Sequence, residues 1–210
     1  MARLSAGVAH LGLSLVGQQS EQCLAYLALL SHWNRRYNLT AITEPLAMVD
    51  GHLLDSLSIR PYLVGQRYLD LGSGAGLPGV PLAIAEPGRH FVLLDGSLKK
   101  ARFLRQVRME LGLDNIEVVA QRAEAYQPAD RFDGITVRAV GALADLLACS
   151  AHLIARPGGQ WLLMKGRYPA AELAILDDRP ETYQVIPLQV PGLDEARHLV
   201  IVRPPLSPVG

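Results

Sequence analysis

Hydrophobic positions along this chain recur at two different periods, and the change near residue 66 divides it. Up to about residue 62 the apolar side chains fall at helical spacing. A short helix is predicted near residues 4–11. A longer one is predicted from Ser20, a residue suited to an N-cap, through Cys23, Leu24, Leu27, Leu30 and Trp33, which share one broad face. Residues 34–42, with Arg35, Arg36, Asn38 and Thr40, read as a polar break. Another helix follows Thr43, with Pro45 in its first turn and Leu46, Val49, Leu53, Leu54 and Leu57 as its apolar stripe. Beyond residue 66 the rhythm becomes strand, turn, helix, which is the pattern of βαβ units and a mainly parallel sheet. Strands are predicted at about 67–71, 90–94, 116–120, 133–137 and 160–165, with helices near 79–86, 97–111 and 142–155. Gly112 suits a helix C-cap, and Pro157-Gly158-Gly159 a turn feeding the fifth strand. After a short helix at 170–176, residues 183–190 and 198–203 alternate in polarity around a Pro-Gly connection and are expected to pair as an antiparallel hairpin. Residues 204–208 are expected to form a loose tail. The prediction is an α/β fold with a mostly parallel seven-stranded sheet, in which residues 1–62 form a helical cap and 63–210 the main domain.

The first strand leads into Leu71-Gly-Ser-Gly-Ala-Gly-Leu-Pro-Gly79, a glycine loop that opens a helix. Such a loop turns backbone N–H groups toward a ligand, and Gly72, Gly74, Gly76 and Gly79 remove the Cβ atoms that would block close approach. Gly74 to Gly79 also satisfies the dinucleotide fingerprint G-x-G-x-x-G, so two ligand classes compete. Asp70 at the strand end separates them by charge. A carboxylate there opposes a pyrophosphate and attracts S-adenosylmethionine, which carries an ammonium and a sulfonium and no phosphate. The alternatives kept open are an NAD(P)-binding oxidoreductase and a noncatalytic RNA-binding module on the same fold.

Composition narrows the setting. Lys plus Arg equals Asp plus Glu at 20 each, so a nucleic-acid partner must be met by a local patch rather than by net charge. Cys23 and Cys149 have neither C-x-x-C spacing nor a disulfide framework, and no run of apolar residues reaches a membrane span. A cytoplasmic monomer with no membrane partner and no metal is expected.

Further candidates lie at strand ends, where open α/β sheets bind ligands. Asp95 ends the second strand, 19 residues after Gly76, where an acid reaches ribose hydroxyls; it also suits the N-terminus of the following helix. Ala123 and Glu124, beyond the third strand, stand where an adenine edge could be read, although a loop Glu is as readily just solvated. Arg138 ends the fourth strand, as either an ion-pair partner or a positioning group at the donor or acceptor. The segment Val137-Arg-Ala-Val140 lacks the Asn/Asp-Pro-Pro-aromatic tetrad of exocyclic-amine methylation, and neither cysteine is placed as a nucleophile for carbon methylation. A ring nitrogen with its own lone pair needs neither, because orientation alone can supply about 7–11 kcal/mol. Lys99, Lys100, Arg102, Arg105 and Arg108 run with no acid between them, and Arg35, Arg36 and Lys165 could extend that patch for phosphate contact. His52 and Asp55 sit one helical turn apart and read as a hydrogen-bonded anchor.

Taken together, Asn38-Leu-Thr40, His52-Leu-Leu-Asp-Ser56, Gly76-Leu-Pro-Gly-Val-Pro-Leu82, Leu93-Leu-Asp95, Lys100-Ala-Arg-Phe-Leu-Arg-Gln-Val107, Phe132-Asp-Gly134, Leu188-Gln-Val-Pro191 and Arg197-His-Leu-Val200 resemble the RsmG, or glucose-inhibited division protein B, family of bacterial 16S rRNA guanine-N7 methyltransferases. The resemblance spans nearly the whole chain. It implies a Rossmann-like class I S-adenosylmethionine-dependent methyltransferase fold and N7 methylation of guanine 527 in the 530 loop of 16S rRNA, within the 30S subunit or an assembly intermediate. It places the family's donor site on Gly72, Leu77, Ala123, Glu124 and Arg138. The family's usual Ser before that arginine is here Val137.

Overall fold

The computed structural model describes residues 1–139, 141–176 and 181–205. Its centre is one seven-stranded sheet in the order β3-β2-β1-β4-β5-β7-β6. The strands are β1 (Arg67–Leu71), β2 (His90–Leu94), β3 (Ile116–Val119), β4 (Gly134–Arg138), β5 (Gln160–Lys165), β6 (Thr182–Leu188) and β7 (Arg197–Arg203). The first five are mutually parallel, and β7 joins β5 antiparallel with β6 outside it, as the expected hairpin. The strand order reverses direction between β1 and β4, which opens a crevice at their carboxyl ends.

Both faces of the sheet are covered, which is why the parallel strands read as nearly continuous apolar runs. Alternate side chains serve the two sides. Tyr68, Phe91, Leu93 and Leu162 pack with the N-terminal helices, α5 (Gly79–Ala85) and α6 (Leu98–Leu111). Leu69, Val92, Ile135, Trp161 and Leu163 pack toward α7 (Leu143–Ser150) and α8 (Ala170–Ala174). Trp161 donates to Ser150 Oγ at 2.9 Å and so ties α7 to the sheet. Gly112 adopts φ 61 and closes α6 with the left-handed cap its position predicts.

The N-terminal region is helical throughout but differs in detail from the sequence reading. The helix α1 covers Ala2–His10, and α2 covers Gly17–Tyr37. Ser20 lies inside α2 rather than capping it; Val16 holds the N-cap position, with Gln19 Oε1 accepting its N–H at 2.9 Å. Residues 34–37, expected to break the helix, complete it, and Asn38 ends it in the left-handed region at φ 50. Tyr26 joins the inner face fully buried, and Leu24 packs against the same core only partly buried. The third helical stretch starts at a Glu44 cap and is not uniform: α3 (Pro45–Met48) widens into a π-helical segment at Val49–Leu54 before α4 (Asp55–Leu57). That widening rotates the face, so Leu46 is exposed while Val49, Leu53, Leu54 and Leu57 stay buried. Strand and helix ends elsewhere move by a residue or two, and α7 and α8 are shorter than predicted. Of the expected tail, residues 206–208 lie outside the described residues.

The α2 helix is fastened to the sheet domain at three points. Gln19 Nε2 donates to Ile84 O at 2.9 Å, Gln22 Nε2 to Leu111 O at 2.9 Å and Tyr26 Oη to Ala75 O at 2.8 Å. Two of these bonds satisfy carbonyls left open at helix C-termini. The third reaches the glycine loop itself.

Candidate functional site

The loop after β1 is set by its neighbours. Gly72 and Ser73 donate backbone N–H groups to Leu94 O at 2.9 and 3.1 Å, and Gly72, Gly74 and Gly76 all take positive φ. Gly79 has an ordinary φ but no room: a Cβ there would stand 2.6 Å from Asp70 Oδ2. Asp70 departs from the sequence reading in where its charge goes. It is fully buried, accepts from Gly79 N–H at 3.1 Å and from Thr136 Oγ1 at 3.0 Å, and does not open on the crevice. Burial pushes its carboxyl up to about 6, against the opposing pull of those hydrogen bonds and of Arg138. Asp70 thus pins the start of α5 beneath the loop, and any pull on a ligand acts through the loop. Leu77 is likewise buried.

Asp95 meets the loop from the other side. Its Oδ2 accepts the Gly74 N–H at 2.9 Å, its Oδ1 accepts the Ser97 N–H at 2.8 Å, and Lys100 Nζ stands 3.3 Å away. The acid therefore does serve the α6 N-terminus, and it also holds the glycine loop. A cavity of about 180 Å³ opens beside it, bringing together Gly72, Asp95, Gly96, Ala123, Glu124 and Cys149. Four residues expected at the donor site, from three separate strand ends, share this wall. Leu71, Leu94 and Leu146 add an apolar side. Glu124 is exposed and Ala123 buried.

At the end of β4, Arg138 takes the ion-pair role. Its Nη1 stands 2.9 Å from Asp55 Oδ2, and Arg197 Nε reaches Asp55 Oδ1 at 3.3 Å. His52 lies against the same group, with Nε2 2.9 Å from Thr40 Oγ1, Nδ1 3.0 Å from Gly51 O and 3.4 Å from Arg138 Nη2. Burial, reinforced by Arg138, lowers His52 to about 4, which keeps it neutral near pH 7. Burial raises the Asp55 carboxyl while both arginines oppose the shift. The expected His52–Asp55 anchor is thus a network joining the N-terminal helices, the fourth strand and the hairpin. Arg197 was missed as a site residue, and so were Thr136 and Tyr26. Only Tyr26 had a local signal, a phenol placed on an apolar helical face.

The basic run splits. Lys100 turns to Asp95, and Lys165 pairs with Glu172 at 2.8 Å. Lys99, Arg102 and Arg105 line a groove of about 560 Å³ with Tyr37, Leu98 and Met109, and among the described residues they have no acidic partner. Arg35 and Arg36 are exposed in the last turn of α2, which ends at Tyr37 beside that groove. Among the described residues no group of three or more His, Cys, Asp or Glu could hold a metal ion, and no helix is long and apolar enough to cross a membrane.

Residues 19–200 match the family described as GidB, rRNA small subunit methyltransferase G. A Chromobacterium violaceum protein named ribosomal RNA small subunit methyltransferase G is 51% identical over 200 residues, covering 95% of each chain. A Nitrosococcus oceani protein of the same name is 51% identical over 201 residues, covering 96% of this chain and 94% of that one. Among solved structures, an O-methyltransferase from Bacillus cereus in complex with SAH superposes with a TM-score of 0.61 at 16% identity, covering 86% of this chain and 91% of that one. The DhpI–SAH complex gives 0.59 at 18% identity, covering 91% and 99%. At such identities the structures share the fold, and that fold is the class I methyltransferase sheet.

Proposed function

The chain belongs to the rRNA small subunit methyltransferase G family, and from that premise we propose that it transfers a methyl group from S-adenosylmethionine to N7 of a guanine in 16S rRNA, in the 530 loop at position 527. The observation that carries this reading is the wall shared by Gly72, Asp95, Ala123 and Glu124. It fits an adenosyl group, with one carboxylate for two ribose hydroxyls, an apolar side from Leu71, Leu94 and Leu146 for the purine, and Glu124 at its rim. Gly74, Gly76 and Leu77 shape the methionine side, Asp70 braces that loop from below, and Arg138 orients groups at the transfer point. When bound, S-adenosylmethionine supplies an electrophilic methyl. The acceptor needs no base, since the N7 lone pair forms the new N–C bond while the S–C pair returns to sulfur, and no proton leaves. The chain's task is to orient and desolvate.

The RNA enters over Arg35, Arg36, Lys99, Lys100, Arg102 and Lys165. Arg35, Arg36, Lys99 and Arg102 are exposed, and the pairing of Lys100 and Lys165 leaves those two a smaller share. Residues 1–62 act as a cap whose α2 helix meets the donor loop near its middle, at Tyr26, and carries Arg35 and Arg36 in its last turn. The substrate is the small subunit or an assembly intermediate, and the enzyme acts as a cytoplasmic monomer. The purified protein should add one N7-methylguanine, located by mass spectrometry of nuclease fragments, to subunits from a deletion strain. Fragments unchanged at that position, or methylated on another atom, would refute the assignment.

A further inference from the structure

Past Arg138 the carboxyl edge of the sheet opens into a second cavity of about 290 Å³, walled by Asp55, Arg138, Met164, Lys165, Gly166 and Arg197. An adjoining hollow shares Met164, Lys165 and Gly166 with it and reaches Leu146, which also lines the Asp95 crevice. The three spaces therefore lie side by side along one edge. Asp55 is 3% exposed, yet its Oδ1 has no directed hydrogen bond, and neither has Arg138 Nη1. Both atoms belong to the ion pairs above, so charge holds them while directed hydrogen-bonding capacity is left for a further group. Glu172 offsets Lys165, Asp55 is shared by two arginines, and the exposed Glu195 lies 3.9 Å from Arg197.

We propose that this cavity receives the acceptor guanine, with the Asp55 carboxylate accepting from its N1–H and 2-amino groups. The inference rests on the N7-guanine reading above and adds how the base is chosen. Among the RNA bases, guanine presents two adjacent donors on its Watson–Crick edge, the pattern a carboxylate accepts. The commonest protein contact to guanine, a bidentate arginine on O6 and N7, would occupy the lone pair that must attack. The base therefore has to be held by its opposite edge. As N7 forms its bond the ring becomes positive, which makes N1–H a better donor, so its bond to Asp55 strengthens in the transition state more than in the bound substrate. Arg138 from β4 and Arg197 from β7 fix the carboxylate for this task.

The test uses the full-length protein and small subunits whose 16S rRNA carries guanine or inosine at the methylated position, introduced by ligating a synthetic oligonucleotide. Inosine lacks the 2-amino group alone and keeps N7. Wild-type enzyme should bind the inosine subunits more weakly in the presence of S-adenosylhomocysteine, and methylate them about tenfold to a hundredfold more slowly. Asp55→Asn, checked for folding by thermal melting and S-adenosylhomocysteine binding, should bring the guanine-to-inosine ratio close to one. Equal handling of both subunits by the wild type overturns the proposal whether or not the variant folds. A folded Asp55→Asn that keeps the wild-type ratio overturns it too. Absence of any N7-methylguanine from the guanine subunits would instead refute the reading on which it rests, and this inference with it.

Discussion

Replacing Asp95 with alanine separates two jobs that the structure gives to one carboxylate. The side chain is 7% exposed and accepts backbone N–H groups from Gly74 and Ser97 at 2.9 and 2.8 Å. The Ser97 bond holds the N–H of the residue that precedes α6, and leaving that donor without its partner should cost about 1–3 kcal/mol of stability. The donor's ribose should lose more. Two hydrogen bonds to a charged acceptor contribute about 1.5–3 kcal/mol each, and water entering the vacated space recovers part of that. A net loss of about 2–4 kcal/mol corresponds to a roughly thirtyfold to thousandfold weaker Kd. Calorimetry with S-adenosylhomocysteine reads the binding and urea denaturation reads the stability. Lys100→Met serves as the control, since its ammonium stands 3.3 Å from Asp95 and is largely solvated, and it should leave Kd within about threefold. A folded Asp95→Ala protein that binds within twofold of wild type would show that the acid serves α6 and the loop only.

Three further outcomes follow from the same geometry. Gly79→Ala places a Cβ 2.6 Å from Asp70 Oδ2, and overpacking of that kind should cost about 1–3 kcal/mol and weaken donor binding; an unchanged melting temperature would contradict it. Changing Lys99, Arg102 and Arg105 together to glutamine should flatten the dependence of log Kd for subunit RNA on log salt by about two units, at roughly 0.7 per single-strand phosphate contact, with donor affinity unaltered. His52, held near 4 when folded against about 6.5 when unfolded, leaves the native state with fewer protons across that window, so its contribution to stability rises with pH between those values and is lost on acidification. The wild type should lose about 3 kcal/mol relative to His52→Gln between pH 7 and pH 4. Asp70, raised to about 6, works with the opposite sign over part of that range and cancels in the difference, provided it is unperturbed in the variant. Parallel stability curves for the two proteins would remove His52 from the account.

The fold was legible because its local signals agree. Strand, glycine loop and helix follow one another with the right period, and a left-handed cap at Gly112 or a turn at Pro157 needs only local chemistry. The wall proposed for the donor was legible in part: strand ends converge in any open parallel sheet, which placed Asp95, whereas Glu124, as readily solvated by its position, came from the family resemblance. What could not be read depends on partners distant in the chain. Arg197 meets Asp55 across 142 positions because β7 returns beside β5. Thr136 reaches Asp70 across the β1–β4 pairing, and that contact turns an expected ligand-facing acid into a buried brace. The π-helical widening at Val49–Leu54 is harder to read: it shifts which side chains face inward, and Gly51 is the one residue in it that disfavours a regular helix.

The neutral net charge and the RNA substrate are reconciled by where the acids are used. Asp70 and Asp95 hold the glycine loop, Asp55 holds two arginines, Asp50 takes Arg3, and Asp133 accepts the N–H groups of Gln66 and Arg67. These carboxylates face inward and contribute little to the field outside, while Lys99, Arg102 and Arg105 stand together without an acidic partner among the described residues. At physiological salt, charges are felt over about 8 Å, so a nucleic acid responds to the patch it touches and hardly to the sum over the molecule. A chain with a balanced total can thus present a cationic groove. The balance has a kinetic consequence as well, because long-range steering depends on the wider field. Attraction to the rRNA is therefore concentrated at contact, where base and phosphate geometry are read together, and an off-target RNA lacking that geometry gains little from the protein's charge.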